Sequence, residues 1–181
     1  MNEIYALSES LSKEDIRRFR KTNSLSRKEL SILLGVSVRT IEKWETSEEG
    51  VNGPLVFLLT LLNSRPELID KYRLPEKRYP LRLYYMSGNM VSTVIDVDTM
   101  NRKVSFKNYT DKLILRAFGN REEVTYEEYE EFLESRCFPK TRDKLKIELE
   151  VLGLRSYDPF SIIRKTQGRM AEDDCYLLIE E

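Results

Sequence analysis

The sequence predicts an α+β protein in two parts: an N-terminal all-α domain over residues 1–72 and a C-terminal α+β domain with a small antiparallel sheet over residues 81–181. Three observations predict it. The first 70 residues carry repeated helix-start signals followed by apolar residues at helical spacing. The stretch Arg73–Pro80 (RLPEKRYP) holds two prolines and three bases and has little to bury, which marks 73–80 as a linker. Beyond it the period changes, with strand-like segments first and acidic helices later, the order of an α+β fold.

The helices of the first part announce themselves one by one. Ser12-Lys13-Glu14-Asp15 is a capping-box variant that opens a helix to about Lys21, with Ile16 and Phe19 on one side. Ser26-Arg27-Lys28-Glu29 is a full capping box, and Leu30, Leu33 and Leu34 follow as an apolar stripe. Gly35 ends that helix as a left-handed residue. Ser37 caps the next, which carries Val38, Ile41 and Trp44. Gly53-Pro54 opens another, with Pro54 in the first helical position and a face of Leu55, Leu58, Leu59 and Leu62.

In the second part, Met90–Val97 and Val104–Tyr109 read as a β-hairpin across a turn at Asp98–Arg102. Lys112–Phe118 is ambiguous, with strand favoured. Thr125-Tyr126-Glu127-Glu128 starts an acidic helix to about Arg136, Thr141–Leu152 is a second helix, and Asp158-Pro159 caps a third. Cys175–Ile179 is a last strand.

Composition narrows the function classes. Hydrophobic residues make up 40% and charged residues 34% of the 181, a soluble globular balance rather than a disordered or membrane one. The longest dense apolar stretch, Leu55–Leu62, falls well short of the roughly 18 residues of a membrane span. Met1-Asn2-Glu3-Ile4 lacks a signal-peptide n-region, so a cytoplasmic location is expected. There is no histidine, which excludes Ser-His-Asp and Cys-His catalysis and any His-containing zinc site. Cys137 and Cys175 are far apart and too few for a four-ligand metal centre; reduced, structural thiols are expected.

Net charge is −1, but the window from Arg17 to Lys43 holds eight bases against two acids. Within it a short helix, a glycine turn and a second helix with a capped polar start form the pattern of a helix-turn-helix. The second helix, Ser37 to Glu45, exposes Ser37, Arg39, Thr40 and Lys43. Arg39 lies near its N-terminal end, where a helix in the major groove reaches base edges, and arginine bonds guanine in bidentate fashion. Ser26, Arg27, Thr40 and Lys43 are better placed for phosphates, which fix register without reading sequence. Trp44 either joins the core or stacks on a sugar, with core favoured by its spacing.

The segment Leu25–Glu45 (LSRKELSILLGVSVRTIEKWE) closely resembles the Cro/C1-type (Xre) helix-turn-helix family, through Leu25, Ser26, Glu29, Leu30, Leu34, Gly35, Val36, Ser37, Thr40, Ile41, Trp44 and Glu45. The resemblance covers roughly residues 12–70. Two positions depart from it: Arg27 stands where the family usually has glutamine, and Ser31 where it has alanine. The resemblance implies binding of double-stranded, near-palindromic operator DNA as a homodimer, and a structural ion pair between Arg20 and Glu45.

The second part is less forthcoming. Arg136-Cys137-Phe138-Pro139-Lys140-Thr141-Arg142, followed by Gly168 and Ala171–Tyr176, is similar to an N-terminal segment of HipA-type toxin kinases. No phosphate loop, catalytic loop or metal-binding aspartate of such a kinase is present, so the similarity implies kinship to a toxin operon and not kinase activity. Tyr84, Tyr85, Tyr126, Tyr129, Arg136 and Arg142 are candidate partner-binding residues, and the run Glu127, Glu128, Glu130, Glu131 and Glu134 is either a solvated face or a dock for a basic partner. Asp96, Asp98, Asp173 and Asp174 could surround a divalent cation, but a strand end entering a polar turn and an acidic helix terminus are the favoured explanation.

The expectation is a non-enzymatic transcriptional repressor, antitoxin-like and autoregulating, in a toxin–antitoxin or phage-related operon, without cofactor or metal. The alternative is an inhibitor that binds a kinase toxin or nuclease through its C-terminal part, with the helix-turn-helix serving its own promoter.

Overall fold

The structure is a computed structural model and describes residues 4–181; Met1–Glu3, used above in arguing against a signal peptide, lie outside the described residues. Among these, eight α-helices and six strands divide after Arg73 into two compact units. No helix among the described residues is long and apolar enough to cross a membrane.

The first unit contains β1 (Ser10–Leu11), α1 (Lys13–Thr22), α2 (Arg27–Leu34), α3 (Val38–Thr46), β2 (Val51–Asn52), α4 (Pro54–Ser64) and α5 (Glu67–Tyr72). β1 and β2 are a two-residue antiparallel pairing, so the unit is helical apart from this clip. Both expected capping boxes form: Ser12 Oγ accepts from the Asp15 amide, and Ser26 Oγ from the Glu29 amide. Gly35 ends α2 at φ +65°, and Val36 N–H reaches back to the Ser31 carbonyl in a Schellman-type closure. Pro54 starts α4, as its fixed φ suits. Ile16, Phe19, Leu25, Leu30, Ile41, Leu59, Leu62 and Ile69 form the core.

Several faces are rotated from the expected ones. On α4 the buried residues are Val56, Leu59 and Leu62, while Leu58 is partly open and Leu55 half-buried. On α2, Leu33 faces out and Ser31 is buried in its place, its hydroxyl donating to the Lys28 carbonyl at 2.8 Å. Serine therefore takes the small-residue position without leaving an unpaired polar atom. Trp44 is half-buried against the core.

The second unit is built on an antiparallel sheet of order β5-β4-β3-β6, with β3 at Leu81–Ser87, β4 at Met90–Asp98, β5 at Lys103–Asn108 and β6 at Cys175–Glu180. α6 (Tyr126–Ser135), α7 (Leu145–Val151) and α8 (Pro159–Thr166) contribute to its core. Alternate residues feed that core: Leu81, Leu83 and Tyr85 from β3, Ile95 and Val97 from β4, Cys175 and Leu177 from β6. Phe118 and Phe132 meet edge to face with ring centroids 5.2 Å apart.

The hairpin and the last strand form as expected, but β3 was not anticipated. Lys112–Phe118 is not a strand: Leu113–Leu115 make one 3-10 turn, held where Ser92 Oγ donates to the Leu115 carbonyl. The helix expected over 141–152 begins only at Leu145, because Lys144 takes a left-handed φ of +63°. The linker expected at 73–80 is not slack either. Arg82 and Asp96, opposite one another on β3 and β4, form a buried bidentate pair at 2.6 and 2.8 Å. Arg82 also donates to the Pro75 carbonyl, and Asp96 accepts the Arg78 amide, so both residues tie the segment to the sheet.

The outer side of β6 is partly closed. Cys175 N–H donates to Asp173, Cys175 C=O accepts from Arg136, and Leu177 N–H donates to the Gln167 carbonyl.

Candidate nucleic-acid interface

Helix α3 is positioned by its ends and by one buried carboxylate. At its start Ser37 Oγ accepts the Thr40 amide at 3.1 Å and lies 2.8 Å from Thr40 Oγ1. At its end Glu45 is fully buried, a rare state for a glutamate unless it is paired. It is paired twice. Arg20 of α1 donates Nε to Glu45 Oε1 at 2.6 Å, and Arg27 of α2 donates Nε to Glu45 Oε2 at 2.8 Å. Arg20 adds a bond to the Leu25 carbonyl. One carboxylate thus fastens α1, α2 and α3 together. Burial by itself would raise the Glu45 pKa; the hydrogen bonds and charges of Arg20 and Arg27 outweigh it and hold the carboxyl below its ordinary value.

The six candidate DNA-contact residues divide by what they do within the chain. Ser26 and Ser37 are exposed, but each hydroxyl already accepts a helix N-terminal amide. Arg27 was expected at a phosphate; its Nε is instead committed to Glu45, and the departure from glutamine enlarges the ion pair into a triad. Thr40 is half-buried and engaged with Ser37. Arg39 and Lys43 differ from the rest. Both are exposed, four residues apart on α3 and so on one side of it, and neither forms an ion pair among the described residues. Within the basic window, Arg20 and Arg27 are thus structural cations, while Arg39 and Lys43 on α3 are uncommitted.

The candidate partner-binding residues of the second unit fare unevenly. Tyr85 and Tyr129 are core residues, 5% and 2% exposed, and burial raises the pKa of both hydroxyls. Arg136 is buried as well. It donates to the carbonyls of Gly168 and Cys175 and forms a bidentate pair with Asp173 at 2.7 and 2.9 Å. Gly168 has a φ of +61°, which strains any other L-residue, and a Cβ there would make a tight contact 3.2 Å from the Arg136 Cβ. The motif from Arg136 through Gly168 to Cys175 is therefore a staple inside the fold and not an outward surface. Tyr84 is half-buried with its hydroxyl on Glu180, Tyr126 is half-buried beneath Arg102, and Arg142 is exposed and paired with Glu148.

Three of the four aspartates weighed as metal ligands are spent elsewhere. Asp96 serves Arg82, Asp98 closes the turn to Asn101, and Asp173 serves Arg136. No cluster of three or more acidic or cysteine side chains able to hold a metal occurs among the described residues. Cys137 is buried, its thiol donating to the Leu133 carbonyl, and burial pushes its pKa up to about 12.

Comparison with protein-family models and with curated proteins finds no match to the chain.

Proposed function

We propose that the protein is a sequence-specific DNA-binding transcriptional repressor in which α2, the turn at Gly35–Ser37 and α3 act as a helix-turn-helix. The observation that carries this reading is the pair of exposed, uncommitted cations Arg39 and Lys43 on a short helix held at both ends. α3 is narrow enough to enter a major groove, and its amino end, where helix amides and positive dipole end gather, carries Arg39. Arg39 reads base edges; Lys43 holds a phosphate. The resemblance of Leu25–Glu45 to the Cro/C1-type family supports a dimer on a near-palindromic operator. The similarity of the 136–176 region to a HipA segment supports an antitoxin-like autorepressor in a toxin-linked operon.

The test is fluorescence anisotropy of the full chain on DNA from upstream of its own reading frame, against shuffled duplexes, over a salt series. Arg39→Ala relaxes the preference for the upstream duplex by about 1–3 kcal/mol. Lys43→Ala weakens all duplexes alike and lowers the salt slope by about one. Equal binding by the wild type and the double variant refutes the assignment.

A further inference from the structure

In the second unit a pocket of about 430 Å³ lies beside α6 and the first residues of α8, a volume suited to a small ligand or one long side chain. Its walls are aromatic: Tyr126, Tyr129 and Phe160. Three carboxylates line it: Glu134 is paired with Lys140 at 3.0 Å and Glu130 with Arg102 at 3.2 Å, which leaves Asp158. Asp158 has no cation partner among the described residues. One of its oxygens, Oδ2, caps α8 by accepting the Ser161 amide at 2.8 Å.

Tyr129 points to a ligand independently of the acids. Its side chain is almost wholly buried, yet its hydroxyl makes no hydrogen bond within the described residues. Every sealed side-chain polar atom among them has a partner, so this hydroxyl is not sealed: it opens into the pocket it lines. Beside it the fold already holds one guanidinium by the same chemistry. Arg102 lies 4.2 Å from the centroid of the Tyr126 ring and bonds Glu127 and Glu130. Aromatic walls suit an organic cation, and the carboxylates do not cluster as they would around a bare metal ion.

We propose that this pocket binds an organic cation, a guanidinium or primary ammonium on an alkyl stem. The head group sits against Asp158 and the Tyr129 hydroxyl, and the stem lies along Phe160 and Tyr126. The cation comes either from a free small amine or from a basic side chain of a partner protein.

The experiment titrates the full chain with agmatine, 1,4-diaminobutane, a blocked arginine (Nα-acetyl-arginine methylamide) and neutral butylurea. Binding is read from the tyrosine and phenylalanine ring resonances by NMR. The cations shift the Tyr126, Tyr129 and Phe160 rings, and butylurea at equal concentration does not. Asp158→Asn removes the charge while keeping an equally good helix cap, and weakens binding at least fivefold. Tyr129→Phe removes only the hydroxyl and weakens it about threefold. Blocked arginine binding as tightly as agmatine identifies a partner's side chain as the source; agmatine binding tenfold tighter identifies a free amine. The proposal is overturned if no cation shifts those rings, if butylurea shifts them equally, or if Asp158→Asn binds like the wild type.

Discussion

Replacing Glu45 by glutamine isolates what one buried carboxylate does for the first unit. The substitution keeps the size of the side chain and removes its charge, leaving Arg20 and Arg27 facing a neutral amide. Removing one member of a buried ion pair costs about 3–5 kcal/mol, because the partner charge stays buried and uncompensated. Here the Arg20 side chain is 18% exposed and Arg27 is 44% exposed, so water softens the loss. A cost of about 2–3 kcal/mol follows, equivalent to a fall in melting temperature on the order of 10 °C or more for a unit of this size. Trp44 is the sole tryptophan and lies in α3, so its fluorescence during urea or thermal unfolding reports on this unit alone. The pH dependence is a second reading of the same experiment. The Glu45 carboxyl is depressed in the folded state, so its stabilisation is fully present above the ordinary value of 4.5 and is lost as pH falls through the folded value. The gap between wild type and Glu45→Gln therefore closes below about pH 4.5. Equal stability of the two at pH 7, within about 0.5 kcal/mol, refutes the triad as the fastening of α3.

Two further outcomes follow from the second unit. Asp96→Asn leaves Arg82 buried without its counter-charge, costs about 3–5 kcal/mol and frees the Arg78 amide, so limited trypsin digestion after Lys77 and Arg78 accelerates; an unchanged digestion rate contradicts the tie. Cys137, with a pKa of about 12, is only about one part in ten thousand thiolate at pH 8 and does not react with Ellman's reagent until the protein is unfolded; rapid labelling of that thiol in the native chain contradicts its burial.

Helix starts were legible in the sequence because a cap is a local device. Ser12, Ser26, Ser37, Thr125 and Asp158 each bond an amide only three residues on, so the sequence window contains both partners. Faces were less legible. On α2 and α4 the leucines outnumber the inward positions, and tertiary packing chooses which of them turn in. Strand β3 was hidden by Arg82, which reads as a surface charge until Asp96, fourteen residues on, is seen opposite it. The same holds at the candidate sites. Arg39 and Lys43 stand where the pattern placed them, whereas the second role of Arg27 depends on Glu45 of another helix. Tyr85, Tyr129 and Arg136 looked like surface anchors because tyrosine and arginine suit interfaces; the partners of Arg136, Gly168 and Asp173 among them, lie more than thirty residues away.

An antiparallel sheet with two open margins invites its neighbours to add strands, and growing aggregates use that invitation. Here one margin is blunted at its first half, since Gln167, Asp173 and Arg136 occupy the outward backbone groups of Cys175 and Leu177. The other margin carries Lys103 and Lys107, whose like charges repel a second copy laid alongside. Both margins thus carry features that discourage strand addition, and removing the Arg136 side chain would free the Cys175 carbonyl on the β6 margin.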